Sequence, residues 1–363
     1  MENRFTKKTE ERVFKNILNK KLLEKGDNLI VSVSGGPDST FLIHILDLFN
    51  KKYKYNIKFN IMHLNHLLRK EAGRDEDFVR NLAEKYNAEF FSKKVDIEKK
   101  AKDEKISIEL AGRNARNEFL KEIEEKIKKK NREKNKEKKE EKIKIVYGHH
   151  ADDVAETFIL NVLRGSSLRG MTSIKEKNGN KLRPIIFLKK AEILKYLETK
   201  EIPFVIDETN FETEYMRNKI RNIVIPYFEE NINKASAFNI YKASQSANEV
   251  MEYIDKETSR LINDLEKNIN INEFLENILE DEQTKLKINE VKYFEINELK
   301  KLDDVILKNI IYKKIENIKF NKGIIEDILS IIKNNYGNKY INISGKKIFF
   351  IKKSRIYILD LKD

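Results

Sequence analysis

The chain has 363 residues, 73 of them basic and 60 acidic, for a formal net charge of +13. Charged residues make up 37% and apolar ones 40%, a balance that excludes collagen-like, mucin-like and wholly disordered chains and leaves room for two or three domains with a real core. There is no cysteine, which excludes disulfides, thiolate zinc sites, iron–sulfur clusters and cysteine nucleophiles together. The stretch Met1–Lys8 lacks the apolar core of a signal peptide, and no window approaches 18 uninterrupted apolar residues. A cytoplasmic chain without membrane spans is therefore expected.

In chain order, the first predicted strand is Asn28–Val33. It runs into Ser34-Gly35-Gly36-Pro37-Asp38-Ser39, and a helical pattern follows near Ser39–Asn50. The two glycines let backbone amides approach an anion, and Ser34, Ser39 and the helix N-terminus add donors. No lysine follows the glycines, so this is not the GxxxxGK[ST] loop. An ordinary capped strand–turn–helix is the alternative. The second strand, Lys58–Leu64, leads into His63-Leu-Asn65-His66-Leu-Leu-Arg69. His63, His66 and Arg69 are three apart, a helical spacing that would line one wall of a site. Satisfied histidines at a strand end are the alternative. Zinc is disfavoured, because carboxylates would have to complete the set.

A helix near Glu71–Tyr86, a strand at Ala88–Val95 and a helix at Ile108–Ile127 come next. In the last, Arg113 and Arg116 share a face and could clamp a phosphate or an anticodon backbone; a solvated face is the alternative. Residues Lys126–Lys144 hold eleven Lys/Arg and four Glu, so more than half of the net charge sits in this run. It reads as a nucleic-acid-facing arm or as a solvated insertion.

The fourth strand, Ile143–Tyr147, opens Tyr147-Gly-His149-His150-Ala-Asp152-Asp153-Val-Ala-Glu156, with a helix over Asp153–Leu163 that ends at Arg164-Gly165. Carboxylates at a helix start are also favoured by the dipole, so capping is the plain alternative. Yet three carboxylates and two histidines lie at a strand's C-terminal end, where open α/β sheets bind ligands. Carboxylates there can hold Mg2+ or an ammonium group. If Asp152 and Glu156 flank one helical turn, they share a pocket and Asp153 faces elsewhere, toward Mg2+. Further on, Asp207 and Asn210 sit on a turn, and Arg217, Asn218 and Arg221 form one face of the next helix.

Alternating strands and helices predict a parallel α/β sheet. From Tyr227 to Lys322 there is neither glycine nor proline, which reads as helical. Lys339–Leu361 returns to strand character, as in a small meander. Three domains are expected: 1–225, 226–300 (helical) and 301–363 (small α+β). Arginine points to the first as the working part. Lysine outnumbers arginine 58 to 15, and eleven of the 15 arginines lie between Arg69 and Arg221, where a planar fork suits phosphate and base recognition.

Ser34–Ser39 resembles the PP-loop of ATP pyrophosphatases, which cleave ATP between the α and β phosphates. The five motifs in this order over residues 28–226 resemble the tRNA(Ile)-lysidine synthase family; the run HxNHxLR, GHHADDxAET with LRG, and DxTNxxxxYxRNxIR is far more specific than the loop alone. The resemblance implies a Rossmann-like PP-loop domain with accessory domains behind it. It implies ATP binding by Ser34, Gly35, Gly36, Pro37, Asp38 and Ser39, and catalytic work by Asp38, His149, Asp152, Asp153 and Glu156. Mg2+ would sit on Asp38 and Asp153. Contacts to tRNA would come from His63, Asn65, His66, Arg69, Arg113, Arg116, Arg164, Asp207, Asn210, Arg217, Asn218 and Arg221. The expected partners are tRNA(Ile) with a CAU anticodon and L-lysine, with a homodimer a further expectation. ATP would activate C2 of the wobble cytidine, and the ε-amine of lysine would displace AMP. That amine must be neutral when it attacks, and His149 or a neighbouring carboxylate is the candidate base. Two other classes stay open: a PP-loop amidoligase that needs no tRNA, and a non-catalytic RNA-binding protein.

Overall fold

Four strands pair in parallel in the first part of the chain: β1 (Asn28–Ser32), β2 (Lys58–Asn65), β3 (Glu89–Lys94) and β4 (Ile143–Val146). The computed structural model describes residues 4–67, 72–134, 142–205, 216–276, 288–316, 318, 320, 323–334 and 339–361. The chain divides into two units, Met1–Asn248 and Glu249–Asp363.

In the first unit the strand order is β3-β2-β1-β4-β6-β5, with β5 (Lys177–Asn178) and β6 (Lys181–Leu182) forming a short antiparallel edge. Neighbouring residues of the central strands feed opposite cores, which is why their sequences read as continuous apolar runs. Leu29, Val31, Ile61 and Val146 join α1 (Arg4–Asn19), α2 (Pro37–Tyr53), α3 (Ala72–Lys85) and α8 (Lys190–Thr199) on one side. Ile30, Met62, Ile143 and Ile145 join α4 (Ile97–Glu104) and α5 (Ile108–Lys134) on the other. The β1–α2 and β4–α6 connections therefore lie side by side at the C-terminal ends of adjacent strands, where α6 spans Ala151–Leu163.

Under α2 runs a buried polar chain. Tyr86 Oη lies 3.2 Å from His44 Nδ1, Tyr196 Oη lies 3.3 Å from His44 Nε2, and Tyr196 donates to Glu10 at 2.7 Å. Burial, reinforced by Lys85, pushes His44 down to about 4, so it is neutral at pH 7.

After α7 (Leu168–Met171) and α8, a helical stretch starts as α9 (Met216–Lys219), widens into a π segment at Ile220–Val224 and continues as α10 (Ile225–Asn231). The long α11 (Ser236–Leu265) carries the chain from one unit into the other. The second unit is a five-stranded antiparallel sheet in the order β7-β8-β11-β10-β9, with β7 Lys267–Asn268, β8 Ile288–Glu295, β9 Tyr340–Ile343, β10 Lys347–Lys352 and β11 Arg355–Leu361. Helices α13 (Ile296–Leu299), α14 (Asp304–Ile315) and α15 (Gly323–Asn334) share one core with it, and Phe274 of α12 (Ile271–Phe274) joins a second.

The terminal meander follows the sequence pattern. The helical expectation for Tyr227–Lys322 needs correction: β8 lies inside it, paired along its length with β11. A lack of glycine and proline reports only that helix breakers are missing. The β8 partner is some 65 residues away, and that long-range pairing, with Ile288, Val291 and Phe294 buried, overrides local preference. No helix among the described residues is long and apolar enough to cross a membrane.

Candidate active site

The loop after β1 is shaped by its own side chains. Gly35 takes φ +91°, a conformation that strains residues with a Cβ. Ser39 Oγ donates to Gly36 O at 3.0 Å and accepts from Ser34 N at 3.2 Å, and Thr40 Oγ1 donates to Gly35 O at 3.1 Å. Ser39 and Thr40 are buried and hold the turn; Ser34 is exposed at its mouth. Gly36 is the N-cap of α2 and makes no side-chain cap, and Pro37 starts the helix, so the helix N-terminus is open to an anion. Across from it stands Gly148, where a Cβ would come within 3.0 Å of Asp38 O. Only glycine lets β4 end this close to α2.

Asp38 faces the segment after β4. Lys190 Nζ, from the first residue of α8, lies 2.7 Å from both of its carboxylate oxygens. His150 Nε2 lies 3.7 Å from Asp38 and 3.4 Å from Asp153, and His150 Nδ1 lies 3.2 Å from Asp152. Burial opposes charge on this imidazole, but Asp153, Asp152 and Asp38 together outweigh it and push His150 up to about 9. His150 is thus an imidazolium at pH 7 that ties three carboxylates together.

His149 is its opposite. Burial, with Arg183, Arg217 and Arg116 acting against Asp153, pushes it down to about 4. Arg183 Nε donates to His149 Nδ1 at 3.1 Å. The ring hydrogen therefore resides on Nε2, and His149 presents a donor there instead of a lone pair. The expectation of His149 as the base does not fit this geometry.

The division expected among the carboxylates is also reversed. Asp153 and Glu156, three apart on α6, converge on the same two arginines. Arg217 Nε and Arg221 Nε reach Glu156 at 3.0 and 2.6 Å, and their Nη2 groups lie 3.4 and 3.1 Å from Asp153. Asp152 turns away and accepts from Lys190 N at 2.8 Å. Arg217 and Arg221, expected on RNA, spend their forks on carboxylates. The Glu156 side chain is 1% exposed.

A second arginine group stays without carboxylates. Arg113 and Arg116 at the start of α5 and Arg183 after β6 surround Tyr147; Arg183 lies over its ring at 5.5 Å and donates to Lys175 O at 2.7 Å. Burial, with Arg113 nearby, makes Arg116 and Arg183 easier to deprotonate than usual. Among the described residues none of the three has an acidic partner within ion-pair distance. The wall they form favours an anion.

Other expected residues are scattered. His63 is buried with Nδ1 3.0 Å from Val33 O, and the buried Asn65 accepts from Leu67 N at 3.0 Å. Both belong to a strand, so the helical spacing read into this motif does not apply, and they brace the loop from behind. His66 lies beside Gly112 of α5. Arg164 is exposed at the C-cap of α6, at the far end from Asp153. Asn218 follows Arg217 in α9. Arg69, Asp207 and Asn210 lie outside the described residues. Lys190 and Arg183 were missed. A lysine among 58 carries no local signal; Arg183 was legible, as one of the eleven clustered arginines.

The three histidines make stability depend on pH in two senses. His44 and His149 fold with values near 4 against an ordinary 6.5, so the unfolded chain takes up more protons below pH 6.5 and stability falls toward pH 4. His150 folds near 9, so its contribution is complete below pH 6.5 and is lost as pH rises to 9. Urea unfolding across pH 4–9 should give a maximum near pH 6.5, and a flat profile would contradict these environments.

A family model described as the PP-loop domain matches residues 6–228. A tRNA(Ile)-lysidine synthase of Clostridium tetani (strain Massachusetts / E88) is 37% identical over 236 residues, 64% of this chain and 47% of that protein. The enzyme of that name in Caldanaerobacter subterraneus subsp. tengcongensis is 36% identical over 256 residues, 70% of this chain and 52% of that protein. The one in Clostridioides difficile (strain 630) is 32% identical over 355 residues, 96% of this chain and 70% of that protein. The chain thus spans about half the length of the first two relatives and more of the third. A PP-loop match over most of the first unit, and identity that runs nearly end to end with the C. difficile protein, lead to one assignment: this chain belongs to the tRNA(Ile)-lysidine synthase family of PP-loop proteins.

Proposed function

We propose that the chain joins L-lysine through its ε-amine to C2 of the wobble cytidine of tRNA(Ile) with a CAU anticodon. ATP is cleaved to AMP and diphosphate, and an adenylated cytidine lies between the two steps. The product is lysidine, which switches codon reading from AUG to AUA. The observation that carries this reading is the juxtaposition of an open helix N-terminus with Asp38, Lys190 and the His150 imidazolium, beside an arginine wall that has no acidic partner among the described residues. Such an arrangement suits a triphosphate on one side and an RNA phosphate or a nucleotide on the other.

In this reading the amides at the start of α2 and the Ser34 hydroxyl bind the diphosphate portion of ATP. Lys190 leaves Asp38 for a phosphate oxygen. The residues fit Mg2+ in part. Asp38 is half-buried, with its side chain 29% exposed, and can offer a carboxylate. Asp153 does not fit, because one oxygen accepts from His150 N and the other faces both arginines. Among the described residues no group of three or more acidic or histidine side chains forms a metal site, so the remaining ligands would be phosphate oxygens and water. Bound there, Mg2+ supplies charge neutralisation for the departing diphosphate. Arg113, Arg116 and Arg183 hold the nucleotide against the loop, and His149 Nε2 donates a hydrogen bond. The same positive wall lowers the pKa of an incoming ammonium and favours the neutral amine that attacks.

Incubation of the chain with tRNA, ATP and isotope-labelled lysine, followed by nucleoside mass spectrometry, tests the reaction. A labelled cytidine derivative is expected. Release of AMP without label in RNA would refute lysine as the nucleophile. Lys190→Gln should raise the KM for ATP about 10- to 100-fold, the value of one charge-assisted hydrogen bond, and Lys190→Arg should recover part of it. An unchanged KM in steady-state diphosphate release would remove Lys190 from the phosphate site.

A further inference from the structure

Helix α5 outruns the core it packs on. Its buried positions are Ala111, Gly112, Ala115, Phe119, Leu120, Ile123 and Ile127, and among the described side chains none lies beyond Ile127, yet the helix continues to Lys134. The residues after Ile127 are Lys-Lys-Lys-Asn-Arg-Glu-Lys, with no apolar side chain. Lys126, Lys128, Lys129, Lys130 and Arg132 are all exposed. Lys130 pairs with Glu89 at 2.6 Å. Among the described residues no carboxylate lies within ion-pair distance of the other four.

Like charges crowd this end of the helix. Lys126 and Lys130 are four apart, as are Lys128 and Arg132, and such pairs repel on a helix surface. Glu124 accepts from Asn180 at 2.9 Å, which leaves Glu125 and Glu133 on this end of the helix to oppose the four cations other than Lys130. A helical end of this kind gains nothing from packing. What it offers is a fixed row of positive groups for a polyanion. A membrane surface would need apolar anchors beside the charges, and there are none. A nucleic-acid backbone needs only the charges.

Position narrows the partner. Arg113, beside the candidate site, lies on the same helix 19 residues before Arg132, about 28 Å along the axis at 1.5 Å per residue. An RNA whose reacting base sits near Arg113 would meet the basic end only with a part remote from that base. We propose that α5 from Lys126 to Arg132 is a second RNA contact, which grips the phosphate backbone of the tRNA substrate away from its anticodon loop. The inference rests on the tRNA reading above.

The test compares the wild-type chain with Lys128→Gln/Lys129→Gln/Arg132→Gln. These side chains are exposed, and circular dichroism checks the fold. The probes are an unmodified full-length tRNA with a CAU anticodon and its isolated anticodon stem-loop. For the full-length RNA the variant should bind about tenfold or more weakly near 0.1 M salt, and the slope of log K against log salt should shrink by about two to three. Affinity for the stem-loop should stay within about twofold. An unchanged slope with full-length tRNA overturns the inference alone. Equal losses on both RNAs overturn it too, because the contact would then lie at the anticodon. A wild-type chain that binds neither RNA overturns the tRNA reading and this inference with it.

Discussion

Asp38→Asn should reduce AMP formation by about a hundredfold or more, the usual scale for removing one group that stabilises developing charge. Asp38 sits in the first turn of α2, half-buried, and its partners are the Lys190 ammonium at 2.7 Å and the His150 imidazolium. The substitution keeps the volume and removes the charge. Lys190 then loses the carboxylate that holds it in place, and the metal ion proposed for this site loses the protein ligand proposed for it. The core under α2 is untouched, so the thermal midpoint should move little. Diphosphate release with saturating ATP and tRNA, measured beside thermal unfolding, separates the two effects. Turnover near the wild-type level would mean that Asp38 neither meets metal nor steers Lys190.

The second large effect falls on stability. Glu156→Gln should destabilise the chain by about 3–5 kcal/mol, because it leaves two guanidinium groups facing a buried site with half of their counter-charge. Adding Arg221→Gln should recover part of the loss, since the double change removes both ends of one pair. Denaturant unfolding of the single and double variants gives the coupling. A rival view has Glu156 receive the ammonium of the lysine substrate. In that case Glu156→Gln would leave unfolding unchanged and raise only the KM for lysine. The 1% exposure of Glu156 and its two short contacts to Arg221 favour the structural outcome.

The two segments that meet at this site were legible from their position in the chain. Ser34–Ser39 and His149–Glu156 follow strands directly, so chain order alone puts them at the C-terminal ends of β1 and β4, which turn out to be neighbours. Nothing in the sequence says which carboxylate meets which cation. Asp153 and Glu156 are three apart and share a helix face, whereas Asp152 lies a full residue's rotation away and finds α8. That choice depends on where Lys190 and Arg217 arrive, 38 and 61 or more residues later. The His63 motif misled for a related reason: a spacing of three suggests a helix, but β2 extends through Asn65 and turns His63 toward Val33. Periodicity marked the end of α5 at Ile127, where its apolar stripe stops; the helix itself runs on because backbone geometry needs no burial.

The widened turn at Ile220–Val224 has a consequence for how this region tolerates changes in length. Arg217 and Arg221 lie before and within it, and Ile225 just after it joins Ala155, Leu160 and Ala237 in a small apolar cluster. An ordinary helix advances about 100° per residue, and a π turn accommodates one residue more than that geometry allows. Deleting a single residue from Asn222 to Val224 would let the π segment close into an ordinary α-helical turn, with both arginines still on Glu156 and Asp153 and Ile225 still in its cluster, whereas the same deletion in regular helix would rotate everything downstream by about a quarter turn. Frame, as much as chemistry, is encoded in these five residues.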